Sequence, residues 1–283
     1  LIIYIMSKIN KTLTKIKRLA FANVIDSFLT LLILFIIILL LTVVSQWIMF
    51  HANWSVVNNN LPLYAFGMFP KDQRWRPALW LILMISLSAL TLLGPRWPWL
   101  RKALPISWIM IIPIGVSLLA GGFGLLPIAS RYWGGLTLTI ILTSCSAVIA
   151  FPLGIVLAFG RQSNLLLIKY LSTLYIDAMR AIPLIAILFF GQLLIPLFLP
   201  QGIEVNRVLR AILAFALFVS AYIAEDIRGG LQSIPRDQTE AATALGLNKF
   251  QITRYIVLPQ ALTIAIPALT NQAVGLLQNT SLM

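Results

Sequence analysis

Long apolar runs alternate with short polar segments along this 283-residue chain. Residues 28–50 are uncharged and predominantly apolar. At 1.5 Å per residue, about 20 residues cross a hydrocarbon core, so this run is long enough for one span. It is too long for the core of a signal peptide, and no small-residue cleavage site is obvious. Further spans are expected over residues 78–94, 106–120, 134–159, 181–199 and 211–227, and from residue 259 onward. Pro152 and Gly154 fall inside the fourth, where neighbouring helices can resatisfy the backbone. A polar loop is expected at 51–77, a basic turn at 95–105, a Gly-rich loop at 121–124 and a partly polar segment at 161–180. The pattern predicts an all-α polytopic membrane protein with about seven transmembrane helices.

One segment breaks the alternation. Residues 239–260 are amphipathic and rich in helix formers, and they lie between two apolar runs. Asp237 and Glu240 have the spacing of an N-cap and its N3 partner, so a capping-box-like start is expected there. Ala241, Ala242, Ala244 and Leu245 favour helix. Gly246 suits the left-handed position that ends a helix. Asn248 can cap a second short helix carrying Phe250, Ile252, Tyr255 and Ile256, which Pro259 is expected to close. The segment reads as a short helix-turn-helix. Residues alone also allow an amphipathic helix lying on the membrane surface.

Composition agrees with the pattern. The chain is 60% hydrophobic, 10% charged and has a mean hydropathy of +0.94, which excludes a soluble domain of useful size. A net charge of +13 raises nucleic acid as a partner, but the basic residues are dispersed among apolar spans. Topology accounts for them better. With the N-terminus inside, Lys8, Lys11, Lys15, Lys17, Arg18 and the inner loops hold 15 of the 21 Lys and Arg residues. Positive charge is expected on the cytoplasmic side, so residues 1–26 form a basic cytoplasmic segment and 239–260 faces the cytoplasm. Cys145 stands alone in an apolar run, which leaves no disulfide framework. His51 has no metal-ligand companions and reads as a loop residue.

Glu240-Ala241-Ala242, three residues, Gly246, nine residues, Ile256 and then Leu258-Pro259 resemble the EAA signature of ABC importer permeases. The resemblance narrows to the amino-acid branch through Ala221-Tyr222-Ile223-Ala224-Glu225, Arg228-Gly229-Gly230-Leu231, and Arg180-Ala181-Ile182-Pro183-Leu184. Ala181 stands where that branch usually has Gly. Trp75-Arg76-Pro77 resembles the longer permeases of general L-amino-acid importers. The family implies a type I permease core over 134–283, preceded at 27–133 by extra N-terminal spans. It implies that the 235–259 loop docks on a cytoplasmic ATPase, with Glu240, Ala241, Ala242, Gly246, Ile256, Leu258 and Pro259 as its signature. It also implies two ABC ATPase subunits, a second permease subunit of related sequence, and a periplasmic amino-acid-binding protein. The setting would be a bacterial inner membrane.

Little in the chain suggests bond chemistry. No Walker A sequence occurs, and Gly121-Gly122-Phe123-Gly124 has neither the helix opening nor the Lys-Ser or Lys-Thr of a phosphate cradle. ATP and magnesium are therefore expected on partner subunits, with no cofactor or metal on this one. Glu225 and Asp226 lie at a span end beside Arg228, either as an interfacial charge cluster or as a joint that passes loop movement to the span. Asn271, Gln272, Gly275, Gln278 and Asn279 share one face of the last span. Polar side chains facing lipid are costly, so this face is expected to point inward, as translocation pathway or as interhelical glue. Relatives often carry a Lys-Asp pair where Gln278-Asn279 stands. A secondary amino-acid transporter working without an ATPase is the other functional class. It would favour an ionisable site at mid-membrane, and none is evident. Family members continue past the Thr280-Ser281-Leu282 segment with a further span, so a C-terminal continuation is expected.

Overall fold

A computed structural model describes residues 20–94, 97–122, 124–200 and 202–282. The basic residues Lys8, Lys11, Lys15, Lys17, Arg18 and Arg96 lie outside them, as do Phe123 and Met283. The described residues are helical, with no strand among them. Two compact units divide at Asn60 and Leu61.

The first unit is dominated by α1, Val24–Gln46. Asn23 caps it by accepting the Asp26 backbone N–H at 2.8 Å. No residue of α1 is buried, and its whole circumference is apolar. A helix apolar all round suits a membrane span. A π-helical turn, Trp47–His51, extends it, and Trp54 Nε1 donates to Ile48 O at 2.8 Å. Helix α2, Trp54–Phe66, follows and carries the chain into the second unit. The segment expected as a polar loop at 51–77 thus holds a 13-residue helix.

The second unit opens with the helices α3, Trp75–Leu93, and α4, Pro98–Ala120. Trp80 on α3 is fully buried and donates its indole N–H to Ile111 O on α4 at 2.9 Å. Buried Arg76 reaches Leu126 O at 2.8 Å. The Trp80 indole and the Arg76 Nη1 group thus have partners, while Arg76 Nε is buried without one.

Helices α5, Gly135–Arg161, and α9, Arg207–Gln232, form the centre. Lipid gives no hydrophobic drive to helix association, so small residues and close packing must supply it. Ala211, Ala214, Ala216, Ala221 and Ala224 are accordingly buried along α9. A Cβ placed on Gly154 of α5 would lie 2.4 Å from Ile223 Cγ2. A buried hydroxyl completes the contact, Ser146 Oγ donating to Ile212 O at 3.1 Å, and half-buried Tyr175, further along the chain, donates its OH to Leu217 O at 2.9 Å.

The fifth expected span differs from its sequence reading. The partly polar segment 161–180 is helical over most of its length, as α6, Leu166–Ala181. The chain then bends by 102° into a second helical piece, Leu184–Phe198. That piece comprises α7, Leu184–Phe189, a π-helical turn, Phe190–Leu194, and α8, Ile195–Phe198. Pro183 holds Ile182 extended, at φ −88° and ψ 133°, and so stops α6. Among the described residues six helices are long and apolar enough to cross a membrane, and the bent pair makes a seventh if taken as one span.

The last span also begins earlier than expected. Helix α10, Arg236–Ala244, precedes α11, Lys249–Ile252, and a π-helical turn, Thr253–Val257, joins α11 to α12, Leu258–Asn279. The helical run Lys249–Leu282 is continuous over 34 residues. Pro259 therefore closes nothing. It sits in the first turn of α12, and the wide π-helical turn before it lets the ring and its missing N–H fit without a break.

Candidate functional site

Three features converge on the ends of α9 and α12. The first is the 235–259 loop. Pro235, at φ −60° and ψ 143°, is the N-cap of α10. Asp237 therefore lies inside the first turn, and its Oδ1 accepts only the adjacent Gln238 N–H, at 3.1 Å. The capping box expected from Asp237 and Glu240 is absent. Proline presets φ at this cap and displaces the start of the helix. A full capping box forms instead at Asn248, whose side chain accepts from Gln251 N while Gln251 Oε1 accepts from Asn248 N, both at 2.9 Å.

Gly246 ends α10 in the left-handed region at φ +80°. Its N–H donates to Thr243 O at 2.9 Å, and Leu247 N–H reaches back to Ala242 O at 3.2 Å. A Cβ at Gly246 would meet nothing within 4 Å, so backbone conformation alone selects glycine here. Ala242 is buried, whereas Glu240 and Ala241 are exposed. Ile256 and Leu258 are half-buried at the root of the loop, and Pro259 is exposed. The tip presents apolar surface: Leu245 is 81% exposed and Phe250 68%.

The second feature is an ion-pair cluster one to two turns before that loop. Glu225 Oε2 meets Arg161 Nη1 at 3.0 Å and Arg180 Nη1 at 3.8 Å. Glu225 Oε1 accepts from Arg228 Nε at 2.7 Å. Arg161 also holds Asp177 Oδ1 at 3.0 Å. One carboxylate thus ties the end of α5, the end of α6 and the last turns of α9. The pairing of Glu225 with nearby Arg228 is legible in the sequence, but the rest of the cluster is not. Arg161, Asp177 and Arg180 lie 45 or more positions away along the chain. Their signal was scarcity: the chain has only 8 acidic residues, and three, Asp177, Glu225 and Asp226, gather here.

The third feature is the polar face of α12. Gln272 Nε2 donates to Asp226 Oδ2 at 3.1 Å, which links it to α9. Asn271 and Gln278 are exposed, while Gly275 and Asn279 are intermediate. Buried Ala261, Ala265 and Leu276 mark the neighbouring stripe that packs on the core. The five polar-face residues therefore flank the packed side of α12 and leave an open edge. Of the five, Gln272 alone has a side-chain bond to another helix among the described residues.

A family model, binding-protein-dependent transport system inner membrane component, matches residues 150–283. That range contains all three features. Among similar proteins, the inner membrane amino-acid ABC transporter permease protein YhdY of Escherichia coli K12 is 38% identical, over 82% of this chain and 63% of its own length. The glutamate/glutamine/aspartate/asparagine transport system permease protein BztC of Rhodobacter capsulatus is 35% identical, over 82% of this chain and 66% of its own length. The glutamate/aspartate import permease protein GltK of Escherichia coli O6:H1 is 36% identical, over 53% of this chain and 69% of its own length. This chain belongs to the family of binding-protein-dependent inner-membrane permeases. It spans just under two thirds of the length of YhdY and BztC.

Membership gives the three features a common frame. In this permease, the signature residues sit on one exposed helical hairpin that runs without interruption into α12. Glu240 and Ala241 face solvent, Ala242 fixes the hairpin to the protein, and Gly246 makes the turn. The hairpin is joined to α9 at Pro235 and runs through the α11–α12 axis without a break.

Proposed function

We propose that this chain is the membrane-spanning subunit of an ATP-driven importer of amino acids. The 235–259 hairpin takes force from ATPase subunits, and α12 with its polar face lines part of the pathway. The observation that carries this reading is the hairpin itself. It is exposed, apolar at Leu245 and Phe250, built on the Glu240–Pro259 signature, and continuous with the helix that bears the polar face.

Two ABC ATPase subunits bind ATP and magnesium and close against a pair of such hairpins. A second permease of related sequence supplies the other half of the pathway, and a periplasmic amino-acid-binding protein delivers substrate. The N-terminus and the hairpin lie in the cytoplasm. The amino-acid class is supported by the printed functions of YhdY, BztC and GltK, which are permease proteins of amino-acid transport systems. No bond in the substrate changes. The chemistry is ATP hydrolysis on the partner, and the permease converts it into alternating access.

Reconstituted vesicles test this. Permease subunits, ATPase and binding protein are combined, and uptake of labelled amino acids is followed with and without ATP. Uptake that needs ATP, the ATPase and the binding protein together supports the reading. Uptake driven by an ion gradient without the ATPase would place the chain among secondary transporters. The mass of the detergent-solubilised complex should correspond to two permease copies.

A further inference from the structure

Helix α6 lies across the ends of two spans instead of along them. Gly160 and Arg161 are the last two residues of α5. A Cβ on Gly160 would strike Ser172 Oγ and meet Ile168 Cγ2 at 3.6 Å. Arg161 Nη1 meets Asp177 Oδ1 at 3.0 Å. Positions 168, 172 and 177 of α6 therefore all face the same end of α5. A helix running beside α5 would travel about 13 Å over that stretch. Tyr175 and Arg180 meanwhile reach α9, at Leu217 O and Glu225 Oε2, over 2.9 Å and 3.8 Å. The 102° bend after α6 agrees with this placement. With Leu184–Phe198 crossing the bilayer, α6 lies near its plane, at the level where α5 ends and α9 approaches the hairpin.

The side chains of α6 sort into three rows at helical spacing. Ser172, Ile176 and Met179 turn to the protein, and Ile176 is buried. Leu167, Tyr170, Leu171 and Leu174 form an outer row, each more than half exposed. Lys169, Asp177 and Arg180 form the third. Asp177 is paired with Arg161, which leaves that row net basic. Lys169 is exposed and in no ion pair among the described residues. Arg180 stands loosely from Glu225, with its side chain 40% exposed.

A contiguous leucine row turned outward marks a surface that something covers. Beside a basic row, at the level of the span ends, it fits the boundary between acyl chains and phosphates. Leucines take the apolar side, and long cationic side chains reach to the headgroups. A protein partner would have to bring its own anion to Lys169, whereas lipid phosphate is already at that level.

We propose that α6 is a docking surface for anionic phospholipid in the leaflet on the hairpin's side. Leu167, Leu171 and Leu174 enter the acyl region, and Lys169 and Arg180 meet the phosphate. Arg180 also faces Glu225, so bound lipid lies against the ion-pair cluster that joins α5, α6 and α9. Calling that leaflet cytoplasmic rests on the reading above. The surface itself does not, since its rows are the same on whichever side they lie.

The test uses the full chain with Cys145→Ala and one new thiol, Leu171→Cys, carrying a bimane fluorophore. Nanodiscs contain phosphatidylcholine and phosphatidylglycerol, and one of the two carries a nitroxide on its acyl chain. The label at 171 should be quenched by nitroxide lipid and shielded from aqueous iodide. At equal content, nitroxide phosphatidylglycerol should quench about twofold or more strongly than the phosphatidylcholine, the preference expected of one or two cations at an anionic surface. Leu167→Cys, one turn earlier on the same row, should report likewise. Leu245→Cys at the hairpin tip should show the reverse, with iodide quenching and none from lipid. Lys169→Gln should bring the two lipids toward parity and leave position 171 shielded from iodide.

A label at 171 open to iodide and untouched by nitroxide lipid overturns the proposal. So does equal quenching by the two lipids in the chain with Lys169, or a preference unchanged by Lys169→Gln. The measurement is repeated with the second permease and the ATPases bound. Loss of lipid quenching at 171 on assembly assigns the leucine row to a subunit contact instead. The readout needs neither ATP nor amino acid. Its failure therefore leaves ATP-driven uptake untouched, and a failure of uptake leaves the quenching result readable.

Discussion

Gln272 on α12 donates its amide N–H to Asp226 on α9 at 3.1 Å, and Asp226 is the neighbour of Glu225, the hub of the ion-pair cluster. The polar face of the last span is thereby bonded to the segment of α9 that leads into the hairpin. Replacing Gln272 by Leu removes the donor and leaves a half-buried carboxylate without its partner. A loss of about 1–3 kcal/mol is expected, the cost of stranding a buried acceptor. Asp226→Asn keeps an acceptor oxygen and should cost less. Thermal unfolding of the two variants in the same detergent measures the difference.

Glu225 and Asp177 make a sharper pair. Glu225 is shared by three arginines with its side chain 19% exposed, whereas Asp177 meets one arginine and is 55% exposed. Glu225→Gln leaves Arg180 and Arg228 without their carboxylate and Arg161 with Asp177 alone, and should destabilise by about 1–3 kcal/mol. Asp177→Asn removes a solvated pair worth about 0–1 kcal/mol. Melting temperatures should rank wild type, then Asp177→Asn closely, with Glu225→Gln clearly lowest. Equal shifts would deny Glu225 its central role.

At Gly246 the constraint is purely conformational, because a Cβ there meets no neighbour. Gly246→Asn, which tolerates the left-handed region, should keep transport close to wild type. Gly246→Val should abolish coupling by opposing that turn. Glu240→Arg should do the same by placing a cation in the first half of α10, where the helix dipole disfavours it. In all three variants the spans should insert normally, as judged by yield and melting temperature. The readouts are uptake and binding-protein-stimulated ATP hydrolysis in vesicles.

Helix α9 approaches α12 through Gly230, where a Cβ would lie 2.4 Å from Ala261 O. Backbone carbonyls cannot swing aside as side-chain tips do. Gly230→Ala is expected to force the helices apart at a cost of about 1–3 kcal/mol. Gly229→Ala, one residue away with open space around its Cβ, should be neutral. A lower melting temperature for the first variant alone checks this.

Much of this architecture was legible because lipid imposes it. A span needs a run of apolar residues, so six helices and the turn at Gly246 could be read directly from the chain. Other features depend on competition between neighbours. Asp237–Glu240 and Asn248–Gln251 have the same spacing, and only the geometry of Pro235 decides that the second pair forms the box. The segment 161–180 reads only as partly polar because its charges mask a helical period, although Ile182-Pro183 marks the bend. Pro259 misled in the opposite sense, since a π-helical turn accommodates it. The distant partners of Glu225, Arg161 and Arg180, are hidden because packing of α5, α6 and α9 brings them together, and no local pattern encodes that packing. The period of the polar residues in the last span places them on one side of a helix. The Gln272 bond to Asp226 belongs to the pairing of α9 with α12.

The hairpin as an ATPase-docking element is the centre of the account, and contact between the two proteins is its most direct test. Cys145 is the only cysteine in the chain, so it can be replaced by Ala and a single new thiol introduced at will. Leu245→Cys places that thiol at the exposed tip of the hairpin, and Arg131→Cys places one just before the start of α5, remote from it. Complexes are assembled with the ATPase and treated with a short thiol-to-amine cross-linker. The account predicts a permease–ATPase adduct from position 245, changed in yield by ATP, and none from position 131. An adduct from 131 with none from 245, in a complex that still imports amino acids on ATP, would contradict it.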